Sequence, residues 1–423
     1  MQVFKFGGAS VKDANSVRNV GEIVKGFAQE KLLIVISAMG KTTNMLERLT
    51  HAYVEQTGKA KQIFDEFKTY HENIIQELIE DIQPNGFDDI ENTFIELECL
   101  IGGNPEGSYD FNYDQIVSFG EIVSTKIVSI YLNQTNVKNR WVDARNFIHT
   151  DANYREGRVD WEKTSSLIHN KLKPLIEKQI IITQGFIGNS NNNNTTTLGR
   201  EGSDYSAAIF AYALEASSQT IWKDVTGVLN ADPKRFKDTT NIEFLTYNEA
   251  IELAYYGATV IHPKTIQPLQ SKNIPLFVKS FIDPKAKGTL VSNQIHDSIQ
   301  TPMFIIKDKQ ALVSISSKDF SFIVEENLSK IFEFFATHNI KTNLMQNSAI
   351  SFSACVDFDL LKLKHLQATL SAQFIVKVNS DCELFTARNI QENQGIEYLK
   401  GKKILLEQRT RSSAQFVVSD KEN

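Results

Sequence analysis

The first ten residues, MQVFKFGGAS, contain a short apolar segment at residues 2–6 that is followed directly by two glycines, Gly7 and Gly8. Apolar side chains then recur at helical spacing over residues 17–27, and a second short apolar run covers residues 32–38. Strand, helix and strand in this order predict a βαβ unit, because parallel strands need a crossover between them. The glycine pair falls where the first strand meets the helix.

The same alternation continues along most of the chain. A long charged stretch at 44–82 has apolar residues at helical spacing, and strand-like runs recur at 140–143, 180–187, 220–225 and 276–280. We therefore expect an α/β fold in which helices sandwich a mostly parallel central sheet. The polar segment NSNNNNTTT at 189–197 is predicted to form an exposed hairpin tip or loop, since it cannot pack a core.

The pattern changes after residue 292. Residues 294–302 are predicted to bridge to shorter elements in the order strand, helix, strand, strand, helix, at 311–316, 324–338, 341–346, 350–358 and 360–370. That order is typical of a small α+β sandwich of the ferredoxin-like kind. Further strand candidates at 373–379, 382–387, 404–408 and 414–418 predict a second, degenerate unit whose helices are hard to identify. We expect a larger domain at 1–292 and a two-unit region at 303–423.

The composition favours small-molecule chemistry. The 423 residues include 45 Lys and Arg against 51 Asp and Glu, so no basic surface for nucleic acid or an anionic membrane is indicated. The three cysteines, Cys99, Cys355 and Cys382, lack CxxC spacing and predict neither a disulfide framework nor a zinc site. There is no export signal and no stretch of ~20 apolar residues. We expect a cytoplasmic protein.

The first motif follows the first strand. Backbone N–H groups at Gly7, Gly8 and Ser10 could cradle a phosphate where a helix begins, and Lys5 would add a positive charge. An ordinary turn explains a glycine pair equally simply, and the GxxxxGK[ST] spacing of a P-loop is absent.

Three further motifs carry polar side chains at expected strand or helix ends. ISAMGKTTN contains Ser37 and Thr43, and SFGE places Glu121 before an expected helix at 122–132, where a carboxylate could simply complement the helix dipole. TLGREGSDYSAA combines Arg200, which can grip a carboxylate with two hydrogen bonds, with Ser203 and Asp204 at a helix start. An N-capped helix explains the serine and the aspartate, but it does not explain an arginine flanked by glycines.

Two later motifs offer contacts for a nucleotide. WKDVTGVLNADPK places Asp224, Gly227 and Lys234 in a turn after a strand. GATVIHPKT brings His262 and Lys264 after an apolar run, and a single histidine in such a place is usually a structural partner.

In this order the motifs KFGGAS, ISAMGKTTN, SFGEIVST, TLGREGSDYSAA, KDVTGVLNADP, GATVIHPKT and GTLV at 288–291 resemble the amino-acid kinase family, and within it the aspartate kinases. The resemblance implies transfer of the γ-phosphoryl group of ATP to the β-carboxylate of L-aspartate, giving 4-phospho-L-aspartate and ADP. This is the first step of lysine, threonine and methionine biosynthesis. Mg²⁺ would arrive with ATP, so no dedicated metal site is expected.

The resemblance also implies roles for individual residues. Lys5 would stabilise the phosphoryl charge and Asp204 would position the reacting groups, while Arg200 would hold the substrate α-carboxylate. Glu121 would face the α-ammonium group. The aspartate pocket would be completed by Ser37, Thr43 and Ser203, and the nucleotide would contact Lys5, Gly7, Gly8, Ser10, Asp224, Gly227, Lys234 and Lys264.

The chain departs from the family pattern mainly on the nucleotide side. Lys223, Leu229 and Lys234 stand where threonine, tyrosine and arginine are usual. Thr259 replaces a lysine, for which Lys264 is a candidate substitute.

The tail resembles the paired ACT regulatory units of the family. That resemblance implies a homodimer and an amino-acid effector, lysine or threonine, with TNLMQNSAISFS at 342–353 as the candidate effector strands. No dehydrogenase follows, so a monofunctional enzyme is expected. The alternatives are a glutamate 5-kinase, an acetylglutamate kinase or a uridylate kinase, or a sensor that binds amino acids without catalysis.

Overall fold

The computed structural model describes residues 1–79, 86–258, 261–294, 301–319, 321–390 and 396–420. The chain divides into two compact units. The first comprises Met1–Val228, Asn241–Ile251 and Val260–Ile295, and the second comprises Leu229–Thr240, Glu252–Thr259 and His296–Asn423. Residues 295–300 of the predicted bridge lie outside the described residues.

Strands and helices alternate through the first part of the chain, as the apolar pattern predicts. The strands are β1 (Gln2–Phe6), β2 (Leu32–Ile36), β3 (Asn139–Trp141), β4 (His149–Thr150), β5 (Ile180–Gln184), β6 (Ile187–Ser190), β7 (Thr195–Thr197), β8 (Ser218–Lys223), β9 (Val228–Leu229), β10 (Asn241–Ile242), β11 (Phe244–Thr246), β12 (Leu276–Ser280) and β13 (Thr289–Ser292). The helices are α1 (Ala14–Lys25), α2 (Thr42–Val54), α3 (Ala60–Ile79), α4 (Asp88–Gly102), α5 (Tyr109–Gln134), α6 (Trp161–Leu167), α7 (Lys173–Ile176), α8 (Gly202–Leu214), α9 (Tyr247–Tyr256) and α10 (Pro263–Ser271), with π-helical Ile168–Leu172 between α6 and α7.

The central sheet has eight strands in the order β11-β13-β12-β8-β1-β2-β5-β3. The strands from β12 to β3 in this order pair in parallel, as do β11 and β13, whereas β12 and β13 pair antiparallel. The predicted α/β fold with a mostly parallel sheet is therefore confirmed.

The middle of this sheet is buried and tightly packed. Every residue of β2 is buried, and Trp222 of β8 stacks on Phe6 of β1 with ring centroids 5.9 Å apart and planes 5° apart. Burial of a side chain of this size contributes about 1.5–3 kcal/mol relative to exposure. The packing fixes the ends of β1 and β8, where Lys5 and Lys223 lie.

Helix α5 corrects one expectation from the sequence. Its N-cap is Ser108, whose Oγ accepts a hydrogen bond from Phe111 N at 3.1 Å, and the helix runs for 26 residues from Tyr109 to Gln134. Glu121 therefore lies in the middle of a helix and does not precede one. The helix-dipole interpretation of Glu121 is wrong, because that effect is confined to the first turn.

Two other local predictions are corrected in part. The stretch 44–82 is broken between α2 and α3, where Gly58 has a φ of 77° that side chains disfavour. The polar segment 189–197 does form a hairpin with an exposed tip, but Thr195–Thr197 is a buried strand paired with β6.

The second unit contains one antiparallel sheet in the order β15-β16-β14-β17-β19-β18. Its elements are β14 (Met303–Ser317), α11 (Glu325–Thr337), β15 (Thr342–Asn347), β16 (Ser351–Asp357), α12 (Leu360–Leu370), β17 (Phe374–Arg388), the 3-10 turn Ile396–Leu399, β18 (Lys402–Arg409) and β19 (Ser413–Asp420).

The two ferredoxin-like units predicted for the tail are nested and not consecutive. The second half of β14 and the first half of β17 enclose α11, β15, β16 and α12 as a βαββαβ inner unit. The remaining halves of β14 and β17 pair with each other and continue the sheet into β19 and β18. Over the described residues this outer part has no helix except the 3-10 turn, which agrees with a degenerate second unit.

Each part of this unit has its own apolar core. Helices α11 and α12 bury Ile331, Phe335 and Leu366 against the inner strands, whereas Phe385 and Phe416 lie in a separate cluster on the outer strands. None of the helices that the structure describes has the length and apolar character to span a bilayer.

Candidate active site

A cavity of about 650 Å³ lies in the first unit, at the carboxyl ends of four adjacent parallel strands. Gly8 follows β1, Ser37 follows β2 and Phe186 follows β5, while Lys223 is the last residue of β8, and all four line the cavity. Open parallel sheets bind ligands at this edge, where loops and helix N-termini converge. The cavity is therefore the candidate active site.

Gly8 joins two of these loops. A Cβ at this position would lie 2.7 Å from Ala38 O and 2.8 Å from Gly40 O, which leaves no room for a side chain. Gly40 N donates a hydrogen bond to Gly8 O at 3.0 Å. The glycine holds the first loop against the 37–40 turn, and both loops contribute to the cavity.

Lys5, Lys223 and Asp204 form a buried charged cluster at the cavity. Lys5 Nζ lies 2.6 Å from Asp204 Oδ1, and Lys223 Nζ lies 3.7 Å from Asp204 Oδ2. Burial alone would raise the pKa of Asp204, but the two ammonium groups outweigh it and hold the pKa below its ordinary value. Asp204 is thus an anion that orients two lysines.

Glu121 is the opposite case, a buried carboxyl group that faces no cation in the part of the chain that the structure describes. Its side chain lines the cavity and the residue is 2% exposed. Burial raises the pKa of Glu121 from 4.5 to about 8, although a hydrogen bond from the Ala38 backbone opposes the shift. No described residue donates a hydrogen bond to Glu121 Oε2. A ligand cation would supply what this carboxyl group lacks.

The remaining predicted acceptor-side residues also line the cavity. Thr43 belongs to the first turn of α2, and Ser203 lies at the start of α8 beside Asp204. Arg200 is exposed, and among the described residues no hydrogen bond or ion pair engages its guanidinium. All five residues predicted for the aspartate pocket, Ser37, Thr43, Glu121, Arg200 and Ser203, thus meet at one cavity.

Several residues predicted for the nucleotide side are not among those that line the cavity. Ser10 is buried and donates a hydrogen bond to Trp222 O at 3.5 Å. Gly227 approaches Asn241 so closely that a Cβ would lie 2.3 Å from Asn241 Oδ1. Asp224 is exposed in the bend after β8. Their nucleotide contacts stay predictions, as do those of Gly7 and Lys234, the latter an exposed residue of the second unit.

The structure describes only part of the GATVIHPKT motif. Thr259 lies outside the described residues. His262 caps α10, because its Nδ1 accepts a hydrogen bond from Lys264 N at 3.2 Å, and this agrees with a structural role. Lys264 occupies the first turn of α10 and does not line the cavity.

Sequence reasoning missed four residues that line the cavity: Tyr113, Arg155, Glu156 and Phe186. Arg155 has a φ of 67° and Phe186 a φ of 70°, a conformation that no sequence pattern signals for non-glycine residues. The Arg155 guanidinium lies 4.3 Å from the Tyr113 ring centroid, so the two side chains pack together.

Asp114 is the buried residue that ties these segments together. Its carboxylate accepts hydrogen bonds from Arg155 N at 2.9 Å, from Thr197 N at 2.9 Å and from Thr197 Oγ1 at 2.8 Å. Burial raises the pKa of Asp114 to about 6, although these hydrogen bonds oppose the shift. Asp114 positions two stretches of the cavity wall without lining it.

Within the described residues, no cluster of three or more His, Cys, Asp or Glu side chains could hold a metal ion. The cationic groups Lys5, Lys223 and Arg200 instead fit anionic ligands. A buried carboxyl beside them fits a ligand that also carries a positive charge. An arrangement of this kind suits phosphoryl transfer between two anions, for which charge compensation is the main requirement.

Comparison with known proteins agrees with the fold. The sequence model of the Amino acid kinase family matches residues 1–280. The chain belongs to the amino acid kinase family.

Individual relatives identify the subgroup of this family to which the chain belongs. Lysine-sensitive aspartokinase 3 of Escherichia coli (strain K12) is 32% identical over 390 residues, which are 90% of this chain and 85% of the relative. Aspartokinase 1, chloroplastic, of Arabidopsis thaliana is 34% identical over 369 residues, 84% of this chain and 63% of the relative. The crystal structure of E. coli aspartokinase III in complex with aspartate and ADP matches with a TM-score of 0.83 at 29% identity, covering 99% of this chain and 96% of that chain. Within the family, this chain belongs to the aspartate kinases.

Proposed function

We propose that this aspartate kinase transfers the γ-phosphoryl group of ATP to the β-carboxylate of L-aspartate, through the cavity at the carboxyl ends of β8, β1, β2 and β5. The observation that carries the proposal is the presence in one cavity of Glu121 and Arg200. Among the described residues, no cation faces the buried carboxyl group of Glu121 and no hydrogen bond or ion pair engages the guanidinium of Arg200. An α-amino acid presents the complementary pair of charges. The E. coli relative was solved with aspartate and ADP, which supports both substrates.

In this proposal the acceptor is held by its α-groups. Glu121 receives the α-ammonium group, and Arg200 grips the α-carboxylate with two hydrogen bonds. The hydroxyls of Ser37, Thr43 and Ser203 are available for the remaining polar atoms. The β-carboxylate is left free to react, and it is ionised at neutral pH without a general base.

The phosphoryl side relies on charge. A β-carboxylate oxygen forms a bond to the γ-phosphorus as the bond to the β,γ-bridging oxygen breaks, and ADP leaves with that electron pair. Lys5 compensates the negative charge that develops on the phosphoryl oxygens, and Asp204 keeps the ammonium group of Lys5 in place. No residue has to accept or donate a proton in this step.

Mg²⁺, bound with ATP, would neutralise further phosphate charge and keep most of its waters. Asp204 is the carboxylate that contacts the two lysines, and its lowered pKa keeps it ionised. The resulting acyl phosphate enters amino-acid biosynthesis.

The acceptor assignment can be tested with substrates that lack one group at a time. Succinate lacks the ammonium group of aspartate, and β-alanine lacks its α-carboxylate. In a coupled assay for ADP release, each should react with kcat/KM about 10³-fold below that of L-aspartate, since a site built for a polar group rejects its absence strongly. Glu121→Gln should impair L-aspartate strongly and succinate little, whereas Arg200→Met should spare β-alanine.

The same assay includes L-glutamate, N-acetylglutamate and UMP. Turnover with UMP alone, or equal effects of Glu121→Gln on aspartate and succinate, would overturn the assignment. Tight amino-acid binding without turnover of any acceptor would favour the alternative that the chain is a sensor that binds amino acids without catalysis.

We also propose that the region 303–423 binds an amino-acid effector, lysine or threonine, and supports a homodimer. The name of the lysine-sensitive E. coli relative supports lysine as the first ligand to test. The candidate effector segment 342–353 forms the β15–β16 hairpin, in which β15 is an edge strand of the sheet. A cytoplasmic location stays a prediction.

Inhibition by lysine or threonine, with isothermal titration calorimetry of each, tests this proposal, and sedimentation measures the assembly. The absence of binding by either amino acid would remove the effector proposal and leave the kinase proposal unaffected.

A further inference from the structure

Lys223 shares a carboxylate with Lys5 from a position on the neighbouring strand. Lys5 pairs with Ile221 across β1 and β8, and Ile221 and Lys223 are two residues apart. Since side chains two apart on a strand point to the same face, Lys5 and Lys223 project from the same face of the sheet. Asp204 in the first turn of α8 lies within reach of both ammonium groups.

The position of Lys223 is set by the centre of the fold. Lys223 O accepts a hydrogen bond from Phe281 N at 2.9 Å, and Lys223 pairs with Ser280 of β12. The preceding residue, Trp222, is buried between the strands. The side chain of Lys223 is 22% exposed, against 10% for Lys5, so the ammonium group of Lys223 borders the cavity. A lysine held in this way is pre-organised, in contrast to one on a loop.

The cluster brings two ammonium groups to one carboxylate. Two ammonium groups share the single carboxylate of Asp204, with one lysine close to each oxygen. Glu201 is another carboxyl group that interacts with both lysines, but burial raises its pKa and so opposes its ionisation. An anion that enters the cavity would meet two ammonium groups that Asp204 holds at the same place.

We propose that Lys223 is a catalytic residue that binds the phosphate tail of the nucleotide and, together with Lys5, compensates the charge of the transferring phosphoryl group. This inference rests on the proposed function. Lys223 exchanges no proton in the reaction: it stabilises the charge on the phosphate oxygens while the new P–O bond forms and the bond to ADP breaks. Lys264, which the sequence offers as the additional cation, is a poorer candidate because it does not line the cavity.

The test uses the 423-residue chain with three variants: Lys223→Met, Lys223→Arg and, as the matched control, Lys285→Met, which replaces an exposed lysine that does not line the cavity. Lys223→Met should lower kcat/KM for ATP about 100-fold, the typical effect of losing one charge-stabilising contact. KM for aspartate should change less than about twofold, because the acceptor contacts are made by other residues. Lys223→Arg should recover a substantial part of the activity, and Lys285→Met should match the unmodified enzyme.

Binding of MgADP, measured by calorimetry, separates this inference from the proposed function. Lys223→Met should weaken MgADP about tenfold whichever acceptor the enzyme uses. A lower Tm with unchanged kcat/KM for ATP and unchanged MgADP affinity would show that Lys223 only stabilises Asp204, and it would overturn the inference. A loss of activity in Lys285→Met equal to that in Lys223→Met would also overturn it. If Lys223→Met does not fold, Lys223→Gln provides the same comparison.

Discussion

The active-site cavity contains two groups of charges that are matched to different degrees. Lys5 and Lys223 are both paired with Asp204 before any ligand binds, whereas the buried carboxyl group of Glu121 faces no cation among the described residues. The first group is held in place by the fold itself. The second is completed only by a ligand, so the fold bears the cost of an unmatched buried carboxyl group until an ammonium group arrives.

Removing Lys5 should break the matched group and have the largest effect. Lys5→Met takes the closest cation from Asp204 and from the transferring phosphoryl group, and kcat should fall about 10³-fold. Lys223 still pairs with Asp204, so the circular dichroism spectrum and cooperative thermal unfolding should be retained. Activity within threefold of the unmodified enzyme would remove Lys5 from the mechanism.

Replacing Glu121 should expose the cost of the unmatched group. Glu121→Gln should raise KM for aspartate about 10- to 100-fold, because a hydrogen bond to a charged group is lost. It should also raise the Tm at pH 7.5. The folded-state pKa is raised to about 8, so the stability contributed by this group is present below pH 4.5 and is lost as the pH rises towards 8.

The neutral amide removes that loss, and the gain in Tm should be larger at pH 7.5 than at pH 5. Glu22→Gln, at an exposed glutamate of α1, is the control and should change neither quantity. A lower Tm for Glu121→Gln at pH 7.5 would show that the buried carboxyl group of Glu121 does not destabilise the folded protein at that pH.

The pH dependence of aspartate binding sharpens the same comparison. If binding requires ionised Glu121, KM for aspartate should fall about tenfold per pH unit as the pH rises towards 7, and it should level off above a pH of about 8. Initial rates at saturating ATP measure this, and Glu121→Gln should give a flat profile. A profile that is equally steep in the variant would assign the titration to another group.

Asp114→Asn should loosen the wall of the cavity with a smaller effect. An asparagine cannot accept all three hydrogen bonds from Arg155 and Thr197, so KM for aspartate should rise about fivefold. Asp110→Asn is the control, because its ion pair with Arg155 is exposed and 3.5 Å long, and it should change KM less than about twofold. Equal effects of the two variants would remove Asp114 from its positioning role.

The smallest effect is expected at Ser10. Its hydroxyl makes one long hydrogen bond to the backbone of β8, so Ser10→Ala should change kcat/KM for ATP less than about twofold. A tenfold loss would show that Ser10 contacts the nucleotide, as the sequence predicts.

The alternation of strands and helices could be read from the sequence because apolar periodicity reports burial directly. The runs at 2–6 and 276–280 coincide with β1 and β12, since flanking glycine and polar residues mark their ends. The start of α5 was missed because it depends on a single serine cap, and the polar residues after it gave no apolar signal. The nesting of the second unit depends on strand pairings across some 70 residues, and no local pattern records these.

The site divides in the same way. Residues within compact motifs, such as Arg200 and Asp204, were found because their side chains are unusual beside glycines. Arg155 and Phe186 were missed because their backbone conformations are set by tertiary contacts. The bonds from Thr197 to Asp114 link positions 83 residues apart, so only the folded chain shows that Asp114 matters. In the sequence, Lys223 stands out only as a departure from the family pattern. The register of β1 and β8 places it on the same face of the sheet as Lys5.

The two long strands of the second unit make its inner part an insertion that can be excised. Lys307 pairs directly with Leu384, so the chain leaves the outer sheet and returns to it at adjacent positions. A tight turn of about two residues could join these positions as an ordinary hairpin and replace everything between them. The inner unit is in this sense a cassette: its removal would shorten two strands without changing the order of those that remain. A chain that lacks the inner unit would show directly how the outer strands behave without it.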